Sequence, residues 1–289
     1  MMLRLGIDIG GTWIKYASVS PKLGRAGERK QRNTPAQAAE LTAVLREIVN
    51  ESILLFGKPE RIGVSVMGEL DEKKGIILDA SNVPGLNGYP MKETVQKISG
   101  VPAAVGNDAR CALIAEMLLG AGTKADSCAM LTIGTGVGGA AATRRMLENN
   151  SYYAELGHLP LICDGEACTC GKRGCLEAYA SCTALERDYR RMGGSKACGA
   201  GEILKRIYMD RTAAESAQRY FAHLSAGIWM LAQEMAVEQV ILGGGLTEWE
   251  LFFPSLLYAA KKKWDQFIPV ERAAFGNDAG LIGATLLDP

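Results

Sequence analysis

Three cysteines fall within eight residues at Cys168-Thr169-Cys170-Gly171-Lys172-Arg173-Gly174-Cys175, with two glycines flanking the basic pair. Such a set can form a disulfide, a metal knot or unrelated thiols. Cys168 and Cys170 are too close in sequence to pair comfortably with each other. A metal is the better reading. Zinc in a structural site takes four ligands, so three thiolates leave it one short. The fourth must come from elsewhere in the chain.

A second chemistry lies in the glycines. Asp8-Ile9-Gly10-Gly11-Thr12 follows an apolar run, and Gly134-Thr135-Gly136-Val137-Gly138-Gly139 follows another. Gly243-Gly244-Gly245 follows a third. Without Cβ atoms, successive backbone N–H groups can converge on an anion such as a phosphate. Asp8 adds a carboxylate able to hold Mg²⁺, and Thr12 a hydroxyl in reach of a phosphate. The plain alternative is a tight turn after an aspartate. Three such turns suggest instead a nucleotide gripped between two lobes, with Gly10, Gly11, Thr135, Gly136, Gly243 and Gly244 around it. Residues 134–139 also match the dinucleotide fingerprint G-x-G-x-x-G. That motif needs a helix straight after the glycines, whereas Ala140–Thr143 reads as a returning strand.

These turns need elements to hold them. Leu3–Ile9 and Trp13–Val19 read as a hairpin, Ile62–Met67 as a buried strand and Ala103–Val105 as another. Helical spacing predicts helices over Ala36–Phe56, Met91–Ile98 and from Asn107-Asp108 to Leu119. The pattern restarts with a strand over Cys128–Ile133, helices over Leu176–Arg190 and Thr212–Ala236, and a strand over Val240–Leu242. Met192–Gly201 reads as a loop, Leu246–Trp264 as a helix and Asp278–Leu287 as the last helix. Strands alternating with helices argue for an α/β chain. The strand–glycine–strand layout occurs near residues 10 and 135, which suggests a duplicated unit. The division expected is 1–120 and 121–277, with the helix at about 278–289 packing back on the first part.

Composition excludes other classes. Among 289 residues, 32 Lys and Arg balance 32 Asp and Glu, so no global field invites nucleic acid or an acidic membrane. The opening MMLRLGIDIGG lacks a signal peptide's apolar core, and no apolar run approaches the ~20 residues of a membrane span. A cytoplasmic protein is expected, where disulfides rarely persist.

The stretches LGIDIGGTWIKYA, GNDARCALIAE, LTIGTGVGG, ELGH, CTCGKRGCLEAYAS and VILGGGL, in this order, resemble the ROK family (repressor, open reading frame, kinase) of sugar kinases. The resemblance implies a two-lobed actin-like (ribonuclease H-like) ATPase fold with a zinc-binding loop. It implies an ATP- and Mg²⁺-dependent kinase acting on a primary hydroxyl of a hexose or N-acetylhexosamine, and a homodimer. It also supplies a fourth zinc ligand, His158 of Glu155-Leu156-Gly157-His158, beside Cys168, Cys170 and Cys175; Cys163 is the local rival. Asp108 becomes the catalytic base, although Asp at a helix start is also an ordinary N-cap. Asn82, Asn107, Glu155, His158 and Glu177 become sugar contacts, with Glu155 and Glu177 facing one cavity. The chain departs from the family at Met67-Gly68, where Pro-Gly is common, at Leu86, where an aromatic is common, and in the residues before Glu155. All three lie near the expected sugar pocket. The family's repressors need a DNA-binding segment ahead of the first strand, where only Met1 and Met2 stand. A non-catalytic sugar sensor is the other alternative.

Overall fold

The computed structural model describes residues 3–20, 22, 24–80, 83–149 and 151–289. The chain divides into two compact units, Met1–Thr123 with Asp278–Pro289, and Lys124–Asn277.

The first unit holds β1 (Arg4–Ile9), β2 (Trp13–Ser20), β3 (Arg25–Ala26), β4 (Lys30–Asn33), α1 (Ala38–Phe56), β5 (Ile62–Val66), β6 (Glu69–Asp71), β7 (Ile76–Asp79), α2 (Met91–Ser99), β8 (Ala103–Asn107) and α3 (Asp108–Leu119). Its main sheet runs β3-β2-β1-β5-β8, with β4 also paired to β2. The β1–β2 pair is antiparallel, while β1–β5 and β5–β8 are parallel. Every residue of β5 is buried, as a central parallel strand covered on both faces requires. Leu41, Leu45, Ile48 and Val49 form the buried stripe of α1.

The terminal helix Ala279–Ala284 belongs to this unit, and glycines explain how. A Cβ on Gly63 would lie 2.1 Å from the Ala284 carbonyl oxygen, and one on Gly283 would lie 1.7 Å from that of Cys111. Bare backbone therefore meets bare backbone on both sides of the helix. It is wedged between β5 and α3, and so fixes the helix that begins at Asp108.

The second unit holds β9 (Ser127–Ile133), β10 (Val137–Thr143), α4 (Arg144–Glu148), α5 (Glu177–Ala180), α6 (Cys182–Arg191), α7 (Ala200–Lys205), α8 (Arg211–Met235), β11 (Gln239–Gly243), α9 (Phe252–Lys261) and β12 (Val270–Arg272). Its sheet order is β10-β9-β11-β12. An antiparallel hairpin thus leads into parallel pairing, the same plan as β2-β1-β5-β8. Among the described residues no helix is long and apolar enough to cross a membrane.

Several expected elements differ. Residues 176–190 form two helices, because Ser181 adopts an extended conformation and caps α6 by accepting the Ala184 N–H. The expected helix from Leu246 begins only at Phe252, after a short 3-10 turn over Gly245–Glu248. Pro254 enforces this: lacking an N–H, it sits comfortably only in a first turn. The loop expected over 192–201 gives way to α7 at Ala200.

Candidate functional site

In the first unit, Asp8 lies near the end of β1, where the register pairs it with Lys15 on β2 and Ser65 on β5. Ser65 Oγ donates to Asp8 Oδ1 at 2.7 Å, and Lys15 Nζ stands 3.5 Å from Oδ2. A Cβ on Gly280 of the terminal helix would come within 2.9 Å of Asp8 Oδ1, so the carboxylate packs beneath bare backbone. The turn beyond is closed by the Gly10 N–H donating to the Trp13 carbonyl, and Thr34 Oγ1 donates to the Gly10 carbonyl. Gly11 and Thr12 remain exposed at its tip.

The N-cap of α3 is Asn107, not Asp108. Asn107 Oδ1 accepts the Arg110 N–H at 3.2 Å, while Nδ2 donates to the Gly68 carbonyl at 3.0 Å. Its own backbone N–H donates to Glu72 Oε1 at 3.2 Å, and Glu72 Oε2 pairs with the buried Arg110 guanidinium. Relieved of capping, Asp108 is the first helical residue and is exposed. Its Oδ1 accepts the neighbouring Ala109 N–H at 2.8 Å. Each amide group of Asn107 retains further hydrogen-bonding capacity for a ligand. Asn82 lies outside the described residues.

In the second unit, Gly134, Thr135 and Gly136 turn the chain from β9 into β10, with Ile133 opposite Val137. A strand follows these glycines, so the dinucleotide fingerprint lacks its helix. Gly243 ends β11 and pairs with Thr132, which brings the two glycine turns side by side. Gly244 has φ +99°, and a Cβ there would lie 2.1 Å from the Ile133 carbonyl oxygen. Only glycine supplies both that conformation and that approach.

The cysteine loop packs against the same turn. Glu155 sits in the left-handed region at φ +59°, and a Cβ on Gly157 would strike the Val137 carbonyl. This sharp bend carries His158 to the cysteines. His158 Nδ1 lies 3.5 Å from Cys168 Sγ, and Cys170 Sγ lies 3.7 Å from Cys175 Sγ. The four ligand atoms lie within 4.8 Å of one another. A tetrahedron with Zn–S near ~2.3 Å and Zn–N near ~2.0 Å has S–S and S–N edges of about 3.8 and 3.5 Å. The donor set and these two distances therefore fit zinc. Cys163 is exposed and outside the group. Burial raises the pKa of the Cys168 and Cys175 thiols, whereas the Lys172 backbone N–H lowers that of Cys170. A metal must displace such protons, so its binding weakens as pH falls.

Glu177 links the loop to the glycine turn. Its Oε1 accepts the Thr169 hydroxyl at 2.7 Å, and its Oε2 accepts the Val137 N–H at 3.0 Å. The second nitrogen of His158, Nε2, faces Glu155 Oε2 at 3.6 Å. A ring nitrogen, two carboxylates and a threonine hydroxyl thus gather around one loop, a polar set suited to a polyhydroxylated ligand.

The ROK family profile matches residues 4–288. The chain belongs to the ROK family. Over 307 residues it is 29% identical to the glucokinase of Thermotoga maritima, covering 97% of this chain and 95% of that protein. It is 28% identical over 293 residues to an N-acetylmannosamine kinase of Haemophilus influenzae, covering 98% and 94%. The crystal structure of a ROK glucokinase from Streptomyces griseus in complex with glucose and AMPPNP superposes with a TM-score of 0.81 at 29% identity, covering 98% of this chain and 97% of that one. This ROK chain is mixed α/β and has the actin-like ATPase fold of its structural neighbours.

Sequence reasoning missed four residues that contact the candidate site residues: Lys15, Ser65, Glu72 and Thr169. Lys15 was recoverable, because a hairpin pairing Ile9 with Ile14 must also pair Asp8 with Lys15. Ser65 sits inside an unbroken apolar strand, where a small polar residue is itself a signal. Glu72, in a charged turn, and Thr169, between cysteines, carry no local mark of their partners.

Proposed function

We propose that this chain is an ATP- and Mg²⁺-dependent sugar kinase that transfers the γ-phosphoryl group to a primary (6-) hydroxyl of a hexose or N-acetylhexosamine. Glucose and N-acetylmannosamine are the types its relatives' names suggest. The observation that carries the reading is Asp108. An exposed carboxylate opens α3 while the neighbouring Asn107 does the capping. One oxygen is oriented by the Ala109 N–H, and the carboxylate accepts the proton of the attacking hydroxyl. Phosphoryl transfer passes through a loose transition state, so holding the hydroxyl in line matters more than early proton removal.

In this reading Asn82, Asn107, Glu155, His158 and Glu177 hold the sugar's hydroxyls. Asp8, Gly10, Gly11, Thr12, Thr135, Gly136, Gly243 and Gly244 hold the nucleotide. Mg²⁺ supplies charge neutralisation for the phosphates, with Asp8 as its protein carboxylate. Zinc, on His158, Cys168, Cys170 and Cys175, is structural, because four protein ligands leave no open position for water or substrate. Its residues orient His158 so that Nε2 points away from the sulfurs.

A screen for ADP release tests the reading, run with ATP and Mg²⁺ over glucose, N-acetylmannosamine, N-acetylglucosamine and allose. Sugar-dependent turnover is expected with at least one. Tight sugar binding without turnover on any would favour the sensor alternative.

Two substitutions probe the parts. A Cβ on Gly136 would lie 2.3 Å from Glu177 Oε2, so Gly136→Val should expel Glu177 from the Val137 N–H. Affinity for an ATP analogue, measured by calorimetry, should fall at least about tenfold, the loss of one charge-assisted hydrogen bond or more. Unchanged affinity in folded protein removes this turn from the nucleotide site. Glu72→Gln keeps an acceptor for the Asn107 N–H but loses the charge facing Arg110. A shifted Asp108 should lower kcat by about tenfold with little change in KM. An equal rise in KM would instead place Glu72 in sugar binding.

A further inference from the structure

We propose that Lys15 is a phosphate-contacting residue, one that neutralises Asp8 until nucleotide arrives and then turns to a phosphate oxygen. This rests on the function proposed above. Ile7, Ile9, Ile14, Tyr16, Val64 and Val66 all pack into the core of the first unit. Successive strand residues point to opposite faces, so Asp8, Lys15 and Ser65 share the other face of the sheet. The register sets these three side by side on β1, β2 and β5. Lys15 therefore lies on the strand that leaves the Gly10-Gly11-Thr12 turn, facing the carboxylate that precedes it.

The pair is loosely held. Asp8 takes its close hydrogen bond from Ser65 Oγ, at 2.7 Å, whereas Lys15 Nζ stands 3.5 Å from Oδ2. That is longer than the ~2.7–3.2 Å of a well-formed N–H···O bond. An ammonium carries three donors, and this contact uses at most one of them. Among the described residues Asp8 is the one carboxylate within 4 Å of Lys15, whose side chain is 28% exposed. Lys30 and Arg32 on the neighbouring β4 differ, because Glu51 holds both at 2.6 Å. In the nucleotide reading Asp8 carries Mg²⁺, which bridges oxygens of the β- and γ-phosphates. A cation beside the same carboxylate stands next to those oxygens. Two cations repel each other at one carboxylate unless phosphate charge lies between them. Nucleotide therefore draws the ammonium off Oδ2, and a flexible lysine stem permits the move.

Calorimetric titration with AMPPNP and Mg²⁺, beside AMP, tests the assignment on the full chain. AMP keeps the base, ribose and α-phosphate but lacks the oxygens next to Lys15. Lys15→Met should weaken AMPPNP binding at least about tenfold, the loss of one charge-assisted hydrogen bond, and leave AMP binding unchanged. Lys15→Arg, which keeps the charge, should recover most of the affinity. Unchanged AMPPNP affinity in Lys15→Met, with or without a lower melting temperature, would make Lys15 a structural partner of Asp8 and overturn the proposal. An equal loss for AMP and AMPPNP would point to a deformed turn and also overturn it. A second measurement needs no variant: acetylation of Lys15 in the wild type, followed by peptide mass spectrometry. AMPPNP should slow that acetylation and AMP should not; equal rates with both overturn the proposal. Wild-type protein that binds no AMPPNP would fail the nucleotide reading itself, whereas binding that ignores Lys15 fails this inference alone.

Discussion

Asp108→Asn should lower kcat by at least about 100-fold while leaving sugar affinity and melting temperature close to wild type. The geometry makes this a clean discrimination. Asn107, not Asp108, caps α3, so the substitution leaves the cap bond to the Arg110 N–H in place. Asn can still accept the Ala109 N–H through its amide oxygen. What disappears is the group that takes a proton. A general base contributes about 10²–10⁴-fold, and the lower end of that range sets the minimum loss. Removing a negative charge from a helix N-terminus costs only about 0.3–1 kcal/mol, so the melting point should barely move. Steady-state kinetics on the best sugar, beside thermal denaturation of both proteins, checks it. Near-wild-type turnover in a folded variant would strike Asp108 from the mechanism.

Cys170→Ser should reduce bound zinc from about one per chain to a small fraction and lower the melting temperature by about 10 °C. Serine is a poor ligand for zinc beside thiolates, and a tetrahedron missing one corner binds weakly. Site formation and folding are linked, so lost metal appears as lost stability. The loop is only part of a larger unit, which limits the loss to about 3–5 kcal/mol. His158→Ala should lose metal likewise, whereas Cys163→Ser should keep it, since Cys163 lies outside the ligand group. Elemental analysis separates these cases. Full zinc in Cys170→Ser, or none in active wild-type protein, would refute the assignment.

The parts of this molecule that were legible in the sequence are those whose partners are close along the chain. The three cysteines declare themselves within eight residues, and Gly171 and Gly174, at φ +83° and +80°, take the positive-φ bends that the tight spacing demands. The hairpin around Gly10-Gly11 and the buried stripe of α1 follow from periodicity alone. His158 stands ten residues before Cys168, and needed the family resemblance. The surroundings of Asp108 were not legible at all. Glu72 and Gly68 reach Asn107 across 35 and 39 residues, and nothing local in a charged turn announces such a partner. The short strands β4 and β12 escaped because KQRN has no apolar residue and VER only one, too few to show a pattern; backbone pairing with β2 and β11 makes them strands.

Glu177 touches the Thr169 hydroxyl within the cysteine loop with one oxygen and the Val137 N–H at the glycine turn with the other. If metal and nucleotide bind at its two ends as proposed, Glu177 offers a route by which one event can bias the other. If an occupied metal site steadies the turn and tightens nucleotide binding by some factor, bound nucleotide must tighten the metal by the same factor. Zinc affinity should therefore rise when an ATP analogue is present, and a chelator should oppose nucleotide binding without ever meeting it. An ion with no part in the chemistry would then report, through its own dissociation constant, how fully the nucleotide site is engaged.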